Sequence, residues 1–127
     1  DYIRVILDNS EHEKKKFLAK HAKKVIHAEE ERKLWHLLEA EKFAMFMYTS
    51  CGWFFDELSG IEPVKVMKFA LRALELVQVY YKRDIETQFL KILRQAKSNI
   101  PEQGDGEEIF MNLVRPARES VVDHQLE

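Results

Sequence analysis

The first 51 residues contain neither glycine nor proline, and this absence constrains the fold more than any other feature of the chain. Gly52 is the first of only four glycines, and Pro63 is the first of only three prolines. Because these two residue types interrupt helices and mark turns, their scarcity favours long helices. Hydrophobic residues make up 46% and charged residues 33%, which is a globular balance. We therefore predict an all-α fold, a helical bundle of four to five helices with one long central helix.

Capping residues and apolar spacing predict the individual helices. Ser10 and Glu13 have the spacing of a capping box, in which each side chain accepts a hydrogen bond from the backbone N–H of the other residue. Pro63 suits the first turn of a helix, and Asp84 suits an N-cap. Segment 1–7 fits a short strand or a helical turn, and we favour the helical turn. The predicted helices cover residues 10–26, 28–58, 62–82, 84–97 and 107–114.

Helix 62–82 has the clearest amphipathic pattern. Its polar face carries Glu62, Lys65, Lys68, Arg72 and Glu75, and its apolar face carries Met67, Ala70, Leu71, Leu74 and Val77. We expect the polar set to be exposed and the apolar set to enter the core. Helix 28–58 would be the central helix, about 45 Å long unless residues 49–52 bend or end it.

The length of 127 residues corresponds to one domain, and we assign residues 1–125 to a single helical domain excised from a longer protein. The final pair, Leu126 and Glu127, is typical of a purification-tag remnant. The longest uncharged run, residues 43–55, is shorter than the roughly 20 apolar residues of a membrane span, so we expect no membrane partner. No secretory signal is visible, and we expect a cytoplasmic protein.

The charge balance gives no sign of nucleic-acid binding. Twenty Lys and Arg residues stand against twenty-two Asp and Glu residues, whereas a nucleic-acid-binding domain usually has a basic excess. The densest charge cluster comprises Lys14, Lys15, Lys16, Lys20, Lys23 and Lys24, followed by Glu29–Glu31. It fits either a phosphate-binding face or a solvated helix face whose charges complement the helix dipoles, and we favour the solvated face.

The sequence lacks the patterns of a metal centre or a cysteine nucleophile. None of the five histidines follows a glutamate by three residues, and one cysteine cannot form a thiolate zinc site. We therefore expect no metal and no cofactor. Cys51 is interpreted as a small buried apolar residue.

The aromatic run Trp53, Phe54 and Phe55 is the feature that most suggests a binding surface. Successive residues of a helix point about 100° apart, so three adjacent rings cannot all face one core. Gly52 allows another backbone or a ligand to approach closely. Two interpretations stay open: Trp53 stacks on a sugar ring beside a carboxylate, or it packs on a neighbouring domain. In either case we expect Trp53 or Phe54 to be partly exposed, and the isolated chain to be able to form a homo-oligomer through them.

The stretch YTSCGWFFDELSGIEPVKVMKFALRALEL, residues 48–76, resembles a signature of the C-terminal helical region of glycoside hydrolase family 57-like (alpha-amylase/alpha-mannosidase-like) proteins. More narrowly, it resembles the domain of unknown function 3536 that follows their deacetylase-like barrel. The resemblance extends less sharply over residues 5–116.

This resemblance implies a division of labour between two domains. In such retaining enzymes acting on α-glucans, the barrel carries a glutamate nucleophile and an aspartate acid/base. The helical domain lends an aspartate–tryptophan pair, after a serine, to the rim of the cleft. Ser50 and Trp53 match that pattern, whereas Gly52 stands at the position of the aspartate. Asp56, one helical turn later, is the candidate replacement that would orient a sugar hydroxyl.

The resemblance predicts a non-catalytic accessory domain that docks on the catalytic barrel of the same parent chain and lends Trp53 to the glycan cleft. The alternative is a purely structural helical module without substrate contact. The candidate substrate-binding residues are Trp53, Asp56 and Ser50, and the candidate interface residues are Gly52 and Phe54. No segment matches the barrel's catalytic positions, so we expect no hydrolase activity from this chain alone.

Overall fold

The computed structural model describes residues 1–118, which form two compact units, Asp1–Lys33 and a second unit that begins at Leu34. The α-helices are α1 (Tyr2–Leu7), α2 (Glu11–His21), α3 (Ala28–Phe46), α4 (Cys51–Phe54), α5 (Ile61–Gln78), α6 (Ile85–Leu93) and α7 (Gly106–Ile109). A π-helix (Phe110–Val114) and 3₁₀-helices (Pro101–Gln103, Arg115–Ala117) complete the elements. Within residues 1–118 there is no strand beyond one isolated bridge between Lys97 and Asp105, which confirms the all-α prediction.

The first unit contains α1 and α2 and has little buried surface. Val5 is its one buried residue, and the rings of Tyr2 and Phe17 meet edge to face at 5.9 Å. Ser10 caps α2 as predicted, because its Oγ accepts from the Glu13 amide at 3.4 Å. The reciprocal half of the capping box is replaced: the Ser10 amide donates to Asp8 Oδ1 at 3.0 Å.

Helix α2 ends at His21, so the prediction that it continues to residue 26 is wrong. None of its residues is fully buried, so tertiary packing adds little to the intrinsic stability of this helix. Its last turn carries Lys20 and His21, where positive charge complements the helix dipole.

The core of the second unit lies between α5, α6 and the π-helix. The buried cluster comprises Met67, Leu71, Leu90, Ile109, Phe110 and Val114, with Leu58, Val64, Phe89 and Leu93 packed around it. Met67, Ala70 and Leu71 are buried as the amphipathic pattern predicted, and the N-cap role of Asp84 is also confirmed by the 3.0 Å bond from the Thr87 amide.

Helix α5 departs from its predicted pattern at Glu75. This residue was assigned to the exposed polar face, but it is only 8% exposed. Its carboxylate lies 3.4 Å from Arg72 Nη1 and 3.4 Å from Arg118 Nε, and Arg118 also pairs with Glu86. The chain after the π-helix thus returns over this end of α5 and covers a charge that the local pattern would leave in water.

The predicted central helix 28–58 is interrupted, because α3 ends at Phe46 and a turn separates it from the short helix α4. The Thr49 amide and hydroxyl both donate to the Phe46 carbonyl, at 3.0 and 2.5 Å. A side-chain hydroxyl that competes for a main-chain carbonyl favours a helix end. Phe43 and Phe46 still pack against Phe69 of α5, with ring centroids 6.1 and 5.5 Å apart. Helices α5 and α6 begin close to their predicted starts and end four residues early, whereas the predicted helix 107–114 is present as α7 followed by the π-helix.

The predicted tag remnant, Leu126 and Glu127, and the end of the predicted domain at residue 125 lie outside the described residues.

Candidate functional site

An exposed set of apolar side chains lies at the end of α3 and in the segment between α3 and α5. We call its residues the aromatic surface: Met45 (67% exposed), Tyr48 (72%), Trp53 (68%), Phe54 (82%) and Phe55 (54%). The prediction that Trp53 or Phe54 is partly exposed is confirmed. Their exposure follows from the backbone, because α4 is only four residues long and cannot turn three successive rings toward one core.

The backbone changes direction within the aromatic surface. Helix α4 ends at Phe54, and Phe55 is extended, with φ −93° and ψ 148°. The rings of Phe54 and Phe55 meet edge to face, with centroids 5.3 Å apart.

Gly52 lies against the second unit's own helix α5. A Cβ at this position would lie 3.0 Å from Val66 Cβ and would overlap Val66 Cγ2, so only glycine permits this approach of α4 to α5. The close approach expected at Gly52 is therefore made within the chain. A role of Gly52 in an interface with another domain stays a prediction.

Ser50 and Trp53 lie on the same short helix. Ser50 occupies the N-cap position of α4 with an exposed side chain, and its carbonyl accepts from the Trp53 amide at 3.0 Å. The hydroxyl makes no capping bond to α4.

Asp56 has an exposed side chain outside any helix. The sequence analysis placed it one helical turn after Gly52, and this geometry is wrong because the extended Phe55 separates the two. Its main chain is held, since the Asp56 carbonyl accepts from Asn99 Nδ2. A contact between the Asp56 carboxylate and a sugar hydroxyl stays a prediction.

Cys51, predicted to be buried, is exposed. In the predicted helix 28–58, Cys51 lay within one uninterrupted helix. The turn after Phe46 breaks that helix and brings Cys51 to the surface as the first residue of α4.

Glu57 is the residue of this region that sequence reasoning missed. Its Oε1 accepts from the Ser59 amide and hydroxyl, both at 2.8 Å, and from Ser98 Oγ at 2.7 Å; its Oε2 accepts from the Asn99 amide at 2.9 Å. These bonds, with that from the Ser59 amide foremost, lower the pKa of Glu57 to about 2. The carboxylate thus joins the end of the aromatic segment to a loop that follows 40 residues later.

A family model for a domain of unknown function (DUF3536) matches residues 1–124. The chain belongs to the DUF3536 family. No curated protein and no solved structure matches it significantly. The part of the resemblance that concerns this domain is therefore confirmed.

Four of the six lysines in the charge cluster of this DUF3536 chain, Lys14, Lys16, Lys20 and Lys24, lie within ion-pair distance of acids of the same unit. Lys14 lies 3.5 Å from Glu11, and Lys16 lies 3.5 Å from Glu13. Lys24 contacts Glu30 at 2.7 Å, which lowers the pKa of that carboxyl. Such pairing favours the solvated helix face over a phosphate-binding face.

Residues 1–118 of the DUF3536 chain contain no group of three or more metal-ligating side chains, and none of their helices is long and apolar enough to cross a membrane. A cavity of about 430 Å³ is lined by Glu39, Phe43, Lys68, Leu71, Arg72, Glu75 and Ala117. None of the predicted site residues lines it.

Proposed function

We propose that this DUF3536 chain is a non-catalytic helical accessory domain of a cytoplasmic glycoside hydrolase family 57-like enzyme, and that it docks on the catalytic barrel through the aromatic surface. The observation that carries the proposal is the exposure of Trp53, Phe54 and Phe55 within one short segment. It is supported by the resemblance of residues 48–76 to the helical region of such enzymes.

Physical chemistry explains why this surface needs a partner. Single exposed apolar side chains are ordinary, but exposed apolar patches usually mark interaction sites, and Trp53, Phe54 and Phe55 are three successive exposed rings. Burying one such ring stabilises a complex by roughly 2 kcal/mol, and large aromatic residues dominate the binding energy of many interfaces. The aromatic surface therefore has both the composition and the exposure of a docking site.

Within this proposal Trp53 also reaches the glycan cleft, where its indole stacks on a sugar ring. The candidate polar contacts to sugar hydroxyls are Asp56 and Ser50, which are both exposed and lie close to Trp53 in the sequence. One observation favours the alternative of a docking module without substrate contact: the exposed apolar side chains continue to Met45 and Tyr48, on the other side of the turn.

The two functions separate in the full-length parent enzyme. Trp53→Ala should lower kcat/KM on maltooligosaccharides about tenfold if the indole contacts sugar, and leave it unchanged if the domain only docks. Tyr81→Ala is the matched control, since Tyr81 is a comparably exposed ring (57%) outside the aromatic surface. The docking proposal itself is contradicted if neither Trp53→Ala nor Phe54→Ala weakens association with the separately produced barrel.

The isolated chain provides a second test. We expect no hydrolysis of soluble starch by the purified chain, and concentration-dependent self-association through the unpartnered aromatic surface. In a Trp35→Phe background, acrylamide quenching reports on Trp53 alone, and sedimentation reports on association. A monomer whose Trp53 is shielded from acrylamide would remove the support that the aromatic surface gives to docking.

A further inference from the structure

The short helix α4 cannot set the orientation of the aromatic rings by itself. A four-residue helix forms too few internal hydrogen bonds to be stable alone. Phe54 and Phe55 are mostly exposed and so gain little orientation from packing. The direction in which the rings point must therefore be fixed by residues that flank them.

The contacts that precede and follow the aromatic residues in the chain are apolar. Gly52 lies against Val66 of α5, and Leu58 packs against the buried core cluster. Between these two contacts stand the extended residue Phe55 and the acidic pair Asp56 and Glu57. The hydrogen bonds that hold this stretch are accepted by Asp56 and Glu57.

The acidic pair is held by loop 97–106. Ser98 and Asn99 donate to the Glu57 carboxylate, and Asn99 also donates to the Asp56 carbonyl. Ser98 Oγ is oriented in turn, because it accepts from the Ile100 amide at 3.0 Å while it donates to Glu57. Hydrogen bonds to a charged acceptor are shorter and stronger than those between neutral groups.

The loop is itself built rigidly onto the core. Its base is closed by the Ser98 amide donating to the Gly104 carbonyl at 3.0 Å and by the Gly106 amide donating to the Ala96 carbonyl at 2.9 Å. Gly104 adopts φ 72°, which favours glycine. Asp105 and Glu108 form a complete capping box at the start of α7, whose Ile109 is 1% exposed.

We propose that Glu57 is a positioning residue, which transmits the rigidity of loop 97–106 to Trp53–Phe55 and thereby sets the orientation in which the aromatic surface meets its partner. The inference rests on the proposed function for the identity of that partner. We call the hydrogen bonds between Glu57 and the loop the clasp. The clasp lies within this chain and does not depend on the partner.

The clasp is tested first in the isolated chain, in the Trp35→Phe background, with Trp53 as the only indole. Glu57→Gln removes the negative charge and turns one acceptor oxygen into a donor group, while Glu102→Gln makes the same change at an exposed position of the same loop. We expect the amides of Ser59 and Asn99 to exchange at least about tenfold faster in Glu57→Gln, and the fluorescence anisotropy of Trp53 to fall. Glu102→Gln should change neither.

A second pair of variants keeps the test valid if Glu57→Gln does not fold. Ser98→Ala removes the hydroxyl that donates to Glu57, whereas Ser98→Thr keeps it. Ser98→Ala should lower Trp53 anisotropy at unchanged helix content, and Ser98→Thr should restore it. Unchanged Trp53 anisotropy in folded Ser98→Ala and Glu57→Gln proteins would overturn the proposal, because the clasp would then be a local feature without effect on the rings.

Docking on the barrel separates failure of this inference from failure of the proposed function. If both hold, Ser98→Ala weakens docking about tenfold although Ser98 lies outside the aromatic surface, since a loosely held surface loses more entropy on binding. A change of Trp53 anisotropy without any docking by the unmodified chain would retain the clasp and reject the proposed function. Unaltered docking by a folded Ser98→Ala protein would overturn the positioning role.

Discussion

The adjacent acidic residues Asp56 and Glu57 differ in how far their side chains are exposed and bound. Asp56 is exposed and holds the loop only through its main-chain carbonyl, whereas Glu57 is half-buried and accepts four hydrogen bonds. Their chemical type is the same, and their sequence positions give no reason to separate them. The difference arises from which of the two faces Ser98 and Asn99.

The clasp predicts a pH dependence of stability that belongs to one residue. The pKa of Glu57 in the folded chain, about 2, lies below its ordinary value of 4.5, so the folded state favours the ionised form. Its contribution to the free energy of unfolding is therefore complete above about pH 4.5 and is lost as the pH falls through 2. Urea unfolding between pH 2 and 6 should show a smaller pH dependence for Glu57→Gln than for the unmodified chain.

Other depressed carboxyls in the chain titrate in both proteins and cancel in that comparison. Hydrogen bonds from the Thr87 hydroxyl and then the Thr87 amide lower the pKa of Asp84. The hydrogen bond from the Glu108 amide lowers the pKa of Asp105. Glu102→Gln should follow the pH profile of the unmodified chain. Parallel profiles for Glu57→Gln and the unmodified chain below pH 4.5 would contradict the assignment of a low pKa to Glu57.

At the scale of elements, the contact between α4 and α5 depends on the missing side chain of Gly52. Gly52→Ala should destabilise the chain by about 1–3 kcal/mol, because its Cβ would overlap Val66 and force the two helices apart. The measurement is the free energy of unfolding in urea. Alanine is otherwise the better helix former, so a purely local account predicts the opposite sign.

A double-mutant cycle isolates the steric term. Val66→Ala removes Cγ2, the atom that a Cβ at position 52 would overlap, so the double variant should lose less stability than the sum of the two single variants. Additive effects would show that the cost of Gly52→Ala arises elsewhere than at the α4–α5 contact.

At the scale of the whole molecule, the two compact units differ in how much core they contain. The buried core cluster lies entirely in the second unit, while Val5 is the one buried residue of the first. We expect a fragment of residues 28–127, which keeps α3 whole, to unfold cooperatively in urea. Residues 1–27 alone should show little helix by circular dichroism, because short helices without a packed face are marginal in water.

Two results would contradict the predictions for these fragments. Loss of cooperative unfolding in the 28–127 fragment would mean that the cluster around Phe110 is not sufficient to fold the second unit. A fully helical 1–27 fragment would show that α1 and α2 need no further packing.

The sequence by itself determined the helical class, the N-caps of α2 and α6, and the buried positions Met67, Ala70 and Leu71, because each depends on residues within one or two turns. The capping box of Asp105 and Glu108 was equally local and could have been found from its spacing. The sequence also indicated that the three aromatic rings after Gly52 could not all be buried.

Only the tertiary structure decided why Glu75 is buried and which carboxylate holds the aromatic segment. Ser98 lies 41 residues after Glu57 in the sequence. Arg118, which pairs with Glu75, follows the π-helix in the sequence. Helical periodicity describes one element at a time, so it assigns Glu75 to water and cannot pair Glu57 with a distant serine. In our proposal, the contact between Glu57 and Ser98 also sets the orientation of the aromatic surface, because the four-residue helix α4 forms few hydrogen bonds of its own.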